Sequence, residues 1–323
     1  MPRLTWLAVA GNPCFAPAPP RASLPHVAYA DLSLGDKVGE GTSGVVHKAD
    51  WKGQSVAVKL YKAELSSDGR SIDEVFASCA VESEHVLRFL GYFTSPKLGA
   101  LRLRLHLRLH LRLHLCLHLR LLLHLHLRLR LHLHFHLHLH LHLHLFHPLT
   151  VALAPTISVS LPPPPSGAVL EWTPGMRSLG KPPSLDSITR DTYPPSTAFG
   201  GLFIRRVARS IAAALAHLHG RGLAHGDMYA HNILVASSGE AKLSDFGAAF
   251  YYGREHPHAA VYERMEARAF GFLLQELIER HDGSDADQLG PVQALATACA
   301  APGNETPARS TCASFERAQL QLV

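Results

Sequence analysis

The stretch His225-Gly226-Asp227-Met228-Tyr229-Ala230-His231-Asn232, followed by Asp245-Phe246-Gly247, sets two carboxylates and one amide at spacings suited to a metal-complexed triphosphate. Asp227 can accept a proton from an attacking hydroxyl. Asn232 and Asp245 can hold Mg2+ ions that neutralise charge on the β and γ phosphates of ATP. An Asp and an Asn five residues apart are a weak signal alone. An Asp-Phe-Gly downstream, behind the apolar run Ile233-Leu234-Val235, makes the pattern specific.

Upstream, Gly39-Glu40-Gly41-Thr42-Ser43-Gly44-Val45-Val46 is a glycine pattern with two meanings. In a dinucleotide-binding unit it would lead into a helix. Here Val45-Val46-His47, a turn at Asp50-Trp51-Lys52-Gly53 and Ser55-Val56-Ala57-Val58-Lys59 predict strand, turn, strand. Gly39, Gly41 and Gly44 would let backbone amides approach phosphates, and Lys59 at the strand end can reach the α and β phosphates.

With these motifs together, the chain resembles a eukaryotic-type protein kinase domain. More narrowly it is similar to a kinase-like family with His-Gly-Asp-Leu-Tyr-Ala-His-Asn in its catalytic loop. The resemblance runs over residues 31–98 and from 167 to the C-terminus. It implies an α+β, two-lobed fold: a small sheet lobe with one helix (31–98 plus 167–173) and a mainly helical large lobe (174–323), with ATP between them. Glu74 resembles the helix glutamate that pairs with the strand lysine, with Glu82 and Glu84 as fallback candidates. Val169-Leu170-Glu171-Trp172-Thr173 resembles the fifth strand and hinge, so that Leu170 gates the cleft and the backbone from Glu171 to Thr173 bonds adenine. Val46, Ala57 and Leu234 would sandwich the adenine ring, although plain core packing explains them equally well. Residues 203–219 have helical period and should form the long large-lobe helix. Glu266 stands where the family usually has an Asp that braces the catalytic loop.

The departures narrow the reading. Gly226 replaces the arginine that in many kinases reads an activation-loop phosphate, which argues against that switch. Tyr229 and His231 occupy positions where serine/threonine and tyrosine kinases carry Lys and Arg. The span from Asp245 to Glu266 is short, lacks Ala-Pro-Glu and holds Tyr251, Tyr252, His256 and His258 instead. Arg309 resembles a late arginine whose usual Glu partner is missing, with Glu263 a substitute. The expected activity is phosphoryl transfer from ATP to a protein hydroxyl, serine or threonine favoured over tyrosine. A small-molecule kinase of the aminoglycoside or choline type, and a nucleotide-binding pseudokinase scaffold, are the alternatives.

Residues 101–145 alternate Leu with His or Arg almost without exception. As one strand the tract would extend about 150 Å, beyond any domain of this size. It is too polar for a membrane helix, and His ligands two apart in a loose chain bind metal only adventitiously. Leu, His, Arg and Pro codons differ only at the middle base, so the tract looks like a translated DNA repeat. We read 99–166 as a retained intron, disordered or aggregation-prone if translated. Its removal would join the fourth and fifth strands as a hairpin.

The tract distorts the bulk numbers. Its seven arginines, taken from a formal charge of +5, leave −2. The basic balance therefore implies neither nucleic-acid nor membrane partners, and oligomeric state is not legible. The 323 residues suit one two-lobed unit. Five cysteines without paired or metal spacing suit a reducing compartment, and a cytoplasmic location is expected. Residues 1–30 read as a flexible leader, with organelle targeting as the rival.

Overall fold

The computed structural model describes residues 24–66, 69–95, 165–183, 187 and 190–301. Residues 99–164 of the insert read as a retained intron, Arg309, Cys14, Cys116 and Cys312 lie outside these residues.

The small lobe is a five-stranded antiparallel sheet. Its strands are β1 (Leu32–Glu40), β2 (Gly44–Trp51), β3 (Gln54–Tyr61), β4 (Phe89–Phe93) and β5 (Gly167–Glu171), in the order β1-β2-β3-β5-β4. Strand β3 is central, and its run Val56, Ala57, Val58 and Lys59 is buried, as strands covered on both faces require. One helix, α1 (Ser71–Cys79), buries Ser71, Glu74, Val75 and Ser78, a spacing that lines one helical face. Glu74 therefore shares its inward stripe with Val75, while the Arg70–Asp73 pair stays at the solvent-facing start. Val75 packs with Tyr61 and Ala168, tying the helix to the sheet.

The large lobe is built on α2 (Gly201–His219), α3 (Ala259–Ile278) and α4 (Leu289–Ala300). Ile204, Val207, Ala208, Ile211, Leu215 and Leu218 form the buried stripe of α2, spaced to meet Leu223, Ile233, Leu243, Phe270 and Leu274 in one core. Short strands lie on this core: β6 (Arg177–Ser178), β7 (Leu223–Ala224), β8 (Ile233–Val235), β9 (Ala241–Leu243) and β10 (Phe250–Tyr251). They form a three-stranded sheet, β6-β8-β9, and the pair β10-β7. Val86 bridges Leu243, with Leu243 N–H donating to His85 O at 2.9 Å and Leu87 N–H to Leu243 O at 2.8 Å. The small lobe is hooked to β9 next to the Asp-Phe-Gly.

Two sequence boundaries move. Residues 24–30 are not leader: Val27 is buried, Val27 N–H donates to Tyr92 O at 2.8 Å, and Tyr92 N–H donates to Pro25 O at 2.9 Å. They cover the outer edge of β4, whose backbone would otherwise stay unpaired. Ser166 is part of the sheet rather than of the insert. Its N–H donates to Phe93 O at 2.8 Å, its carbonyl accepts Tyr61 N–H at 3.1 Å, and its Oγ accepts Ser95 N–H at 2.9 Å. Strands β4 and β5 pair as the anticipated antiparallel neighbours, Phe93 opposite Gly167.

Candidate active site

Lys59 sits on β3 opposite Val46 of β2 and Ala168 of β5, and its ammonium meets two carboxylates. Nζ donates to Glu74 Oε1 at 2.7 Å and to Asp245 Oδ1 at 2.8 Å. Burial alone would pull the lysine pKa down. The Asp245 and Glu74 charges outweigh it and hold it above the ordinary value, so the ammonium stays charged. Burial pushes the Glu74 carboxyl up to about 7 against the pull of Lys59. Glu82 and Glu84, the fallback candidates, are exposed, and the α1 stripe selects Glu74.

Asp245 has a φ of 58°, a left-handed backbone uncommon for a residue with a side chain. The cost is offset by Gly247 N–H, which donates to Asp245 Oδ1 at 3.2 Å, and by Lys59. Burial alone would raise the Asp245 carboxyl, yet Lys59 holds it below the usual aspartate value. Its side chain remains 41% exposed to the cleft.

The catalytic-loop residues continue from there without a break. Ser244 N–H and Oγ–H both donate to Asn232 O, at 2.8 and 2.9 Å. Asn232 Nδ2 donates to Asp227 O at 2.9 Å and to Asp227 Oδ2 at 2.8 Å. Lys59, Asp245, Asn232 and Asp227 are thus joined through covalent neighbours and hydrogen bonds. Burial raises the Asp227 carboxyl, moderated by His225, His231 and Asn232. His225 Nε2 lies 2.9 Å from Ser244 O, which can only accept. Nε2 therefore carries the proton, and Nδ1 receives Asp227 N–H at 3.4 Å.

With both Asn232 amide hydrogens directed at Asp227, its Oδ1 is the atom available to a cation, together with Asp245 Oδ2. Among the described residues no group of three His, Cys, Asp or Glu side chains could hold a metal by itself. An amide and a carboxylate with few protein ligands suit Mg2+ completed by phosphate and water oxygens.

Gly226 has a φ of 81°, and a Cβ there would lie 2.3 Å from Ala248 O. Its N–H donates to Glu266 Oε1 at 2.7 Å, and Glu266 Oε2 accepts His219 Nε2–H at 2.7 Å. The longer Glu thus braces the loop directly. Glu263 accepts the Tyr252 hydroxyl at 2.8 Å. Phe250, Tyr252, Tyr262 and His256 form a ring cluster over the short segment before α3.

The adenine candidates lie on facing strands. Ala57 is opposite Leu170, Val46 is beside them on β2, and Leu234 of β8 lies across in the large lobe. At the hinge, Glu171 N–H is already given to Arg88 O at 2.9 Å, and Thr173 O accepts Met176 N–H at 3.2 Å. Glu171 Oε1 accepts Lys242 Nζ at 2.6 Å and Arg88 N–H at 2.9 Å. Among the described residues, Trp172 N–H and Thr173 N–H make no backbone bond and are the hinge donors left to a base. The glycines divide by cause. A Cβ on Gly44 would strike Leu60 O at 2.7 Å, so Gly44 is needed by the sheet. A Cβ on Gly41 meets no protein atom, so its bareness favours a ligand, although its N–H is used by Gly44 O at 2.9 Å.

Sequence reasoning missed Asp191. This buried carboxylate accepts Ala230 N–H at 2.6 Å, His231 N–H at 3.3 Å and His231 Nδ1–H at 2.7 Å. It stands in an irregular connection with no periodicity, and no motif marks it.

Comparison with known proteins finds protein kinases. The family model for protein tyrosine and serine/threonine kinases matches residues 32–267. The chain is 32% identical over 100 residues to a calmodulin-binding receptor kinase of Arabidopsis thaliana, covering 31% of this chain and 15% of that protein. It is 48% identical over 85 residues to 3-phosphoinositide-dependent protein kinase B of Dictyostelium discoideum, covering 26% and 9%. It is 39% identical over 56 residues to the serine/threonine-protein kinase GRIK1 of Arabidopsis thaliana, covering 17% and 14%. The matches thus span less than a sixth of each of these relatives. No helix among the described residues is long and apolar enough to cross a membrane. With its glycine hairpin, ion-paired strand lysine and Asp-Phe-Gly, the chain belongs to the protein tyrosine and serine/threonine kinase family.

Proposed function

We propose that the chain transfers the γ-phosphate of ATP to a protein hydroxyl, serine or threonine in preference to tyrosine. The observation that carries this reading is the continuous set Lys59, Glu74, Asp245, Asn232 and Asp227 in one cleft. A relative named as a serine/threonine kinase supports the acceptor class. The glycine hairpin and the Asp-Phe-Gly speak against the small-molecule alternative. The intact Lys59, Asp227, Asn232 and Asp245 speak against a pure scaffold.

In this reading Lys59, fixed by Glu74, orients the triphosphate beneath the β1–β2 hairpin. Trp172 N–H or Thr173 N–H, with the walls Val46, Ala57, Leu170 and Leu234, seats the base. Asn232 Oδ1 and Asp245 would hold Mg2+, which when bound neutralises phosphate charge. Asp227 accepts a hydrogen bond from the acceptor hydroxyl, aligns its oxygen with phosphorus and takes up its proton. Most of the rate comes from positioning and fixed charge.

The test is label transfer from γ-labelled ATP by the full chain, with dephosphorylated casein set against aminoglycosides and choline. Label on casein, lost in D227A, is the expected result. Label on a small alcohol alone, or equal labelling by D227A, overturns the proposal.

A further inference from the structure

The segment between β6 and α2 reaches into the catalytic loop through one side chain. Asp191 Oδ2 accepts Ala230 N–H at 2.6 Å, while Oδ1 accepts His231 N–H at 3.3 Å and His231 Nδ1–H at 2.7 Å. Both carboxylate oxygens are thereby committed to the two residues before Asn232. A buried carboxylate bonded to backbone N–H groups and an imidazole is a strong, directional tie. Because Nδ1 is the donor to Asp191, the opposite ring atom is fixed in direction. Nε2 of His231 lies 3.9 Å from Asp227 Oδ2. That same Oδ2 accepts Asn232 Nδ2–H at 2.8 Å. One oxygen of Asp227 is therefore bonded to Asn232 and faces the edge of the His231 ring, leaving Oδ1 to receive an incoming hydroxyl proton.

The neighbours of Asp191 are themselves anchored. Arg190 pairs with Glu276 at 3.1 Å and with Glu279 at 2.8 Å, both at the end of α3. The Tyr193 hydroxyl donates to Glu276 Oε2 at 3.0 Å, and the Arg280 guanidinium lies 4.2 Å from the Tyr193 ring centre. Thr192 exchanges backbone hydrogen bonds with Lys181. Helix α3 thus grips the loop at two points: at Gly226 through Glu266, and at Ala230 and His231 through Asp191.

We infer that Asp191 and His231 are positioning residues for Asp227: Asp191 fixes the loop backbone and the His231 ring, and that ring stands against the Asp227 carboxylate and limits where it can turn. This rests on the reading of Asp227 as the group that handles the acceptor hydroxyl. Residues 190–193 are then part of the catalytic apparatus rather than a spacer.

The experiment uses the full chain with γ-labelled ATP and casein, together with amide exchange over residues 228–232 in nucleotide-free protein. D191A should speed exchange in that segment and lower kcat roughly tenfold to a hundredfold. KM for ATP should stay within about twofold, since Lys59 and the hinge are untouched. H231N keeps a donor where Nδ1 stands but has nothing at Nε2. It should leave exchange as in the parent and still lower kcat. Unchanged exchange in D191A overturns the inference even if no acceptor is phosphorylated. An active parent whose H231N variant turns over at the parental rate also overturns it, while leaving the kinase reading intact. Should D191A fail to fold, H231N alone decides. A parent that labels no protein, with D191A exchange accelerated, sinks the kinase reading and leaves the loop clamp standing.

Discussion

Lys59 is buried between two carboxylates, and this arrangement determines what its loss would do. In K59M, Glu74 keeps its place on the inward face of α1 with no counter-charge. Breaking a buried pair from one side costs about 3 to 5 kcal/mol. The expected result is loss of phosphotransfer together with a lower unfolding temperature. Scanning calorimetry should find the deficit narrowing in acid, where Glu74, already pushed up to about 7, takes up a proton. A parental unfolding temperature at alkaline pH would show that Glu74 does not depend on Lys59. This pair was legible in the sequence because Lys ends a Val-Ala-Val run and Glu74 falls on a helical stripe. Asp191 was not legible. A single carboxylate in an aperiodic connection gains meaning only when the chain folds back to place it against Ala230, some forty residues on.

The catalytic loop illustrates how an element can be shaped by neighbours rather than by its own propensities. Gly226 combines a left-handed backbone with an approach to Ala248 O that no Cβ tolerates. G226A should lose about 1 to 3 kcal/mol of stability, measured by denaturant unfolding, and most of its turnover. A fully active, equally stable G226A would contradict the described loop path. The sequence showed that Gly226 replaces an arginine. It could not show that the space for a side chain is filled by the residues after the Asp-Phe-Gly. Glu266 braces the same loop from α3. Burial works to raise its carboxyl, yet the His219 bond and charge and the Gly226 N–H bond hold it below the ordinary value of 4.5. The unfolded chain then binds the proton more tightly, so this contribution is present above about 4.5 and is lost as the pH falls below it. E266Q lacks that linkage. The difference in unfolding temperature between parent and E266Q should shrink as the pH drops through that window. A gap independent of pH would refute the assignment.

For the molecule as a whole, the catalytic unit is assembled from chain on both sides of residues 96–164. Strands β4 and β5 meet as direct neighbours, and Ser95 and Ser166 are already hydrogen-bonded. Joining Leu98 to Pro165, which keeps Ser166, should give a folded protein whose unfolding temperature rises with Mg-ATP. A truncated chain that aggregates or ignores nucleotide would show that the excised residues are needed. The two-lobed fold was legible because strand and helix periodicities on either side of the tract are strong. The edge pairing of Pro25 and Val27 on β4 was hidden, since a Pro- and Ala-rich stretch has no periodicity and its role depends on a strand more than sixty residues away. The junction between Ser95 and Ser166 carries a practical consequence. Closing a loop there costs an entropy that grows only with the logarithm of its length. A fluorescent reporter with neighbouring termini could therefore be grafted at this port, and its emission would follow the small lobe without touching the ATP cleft.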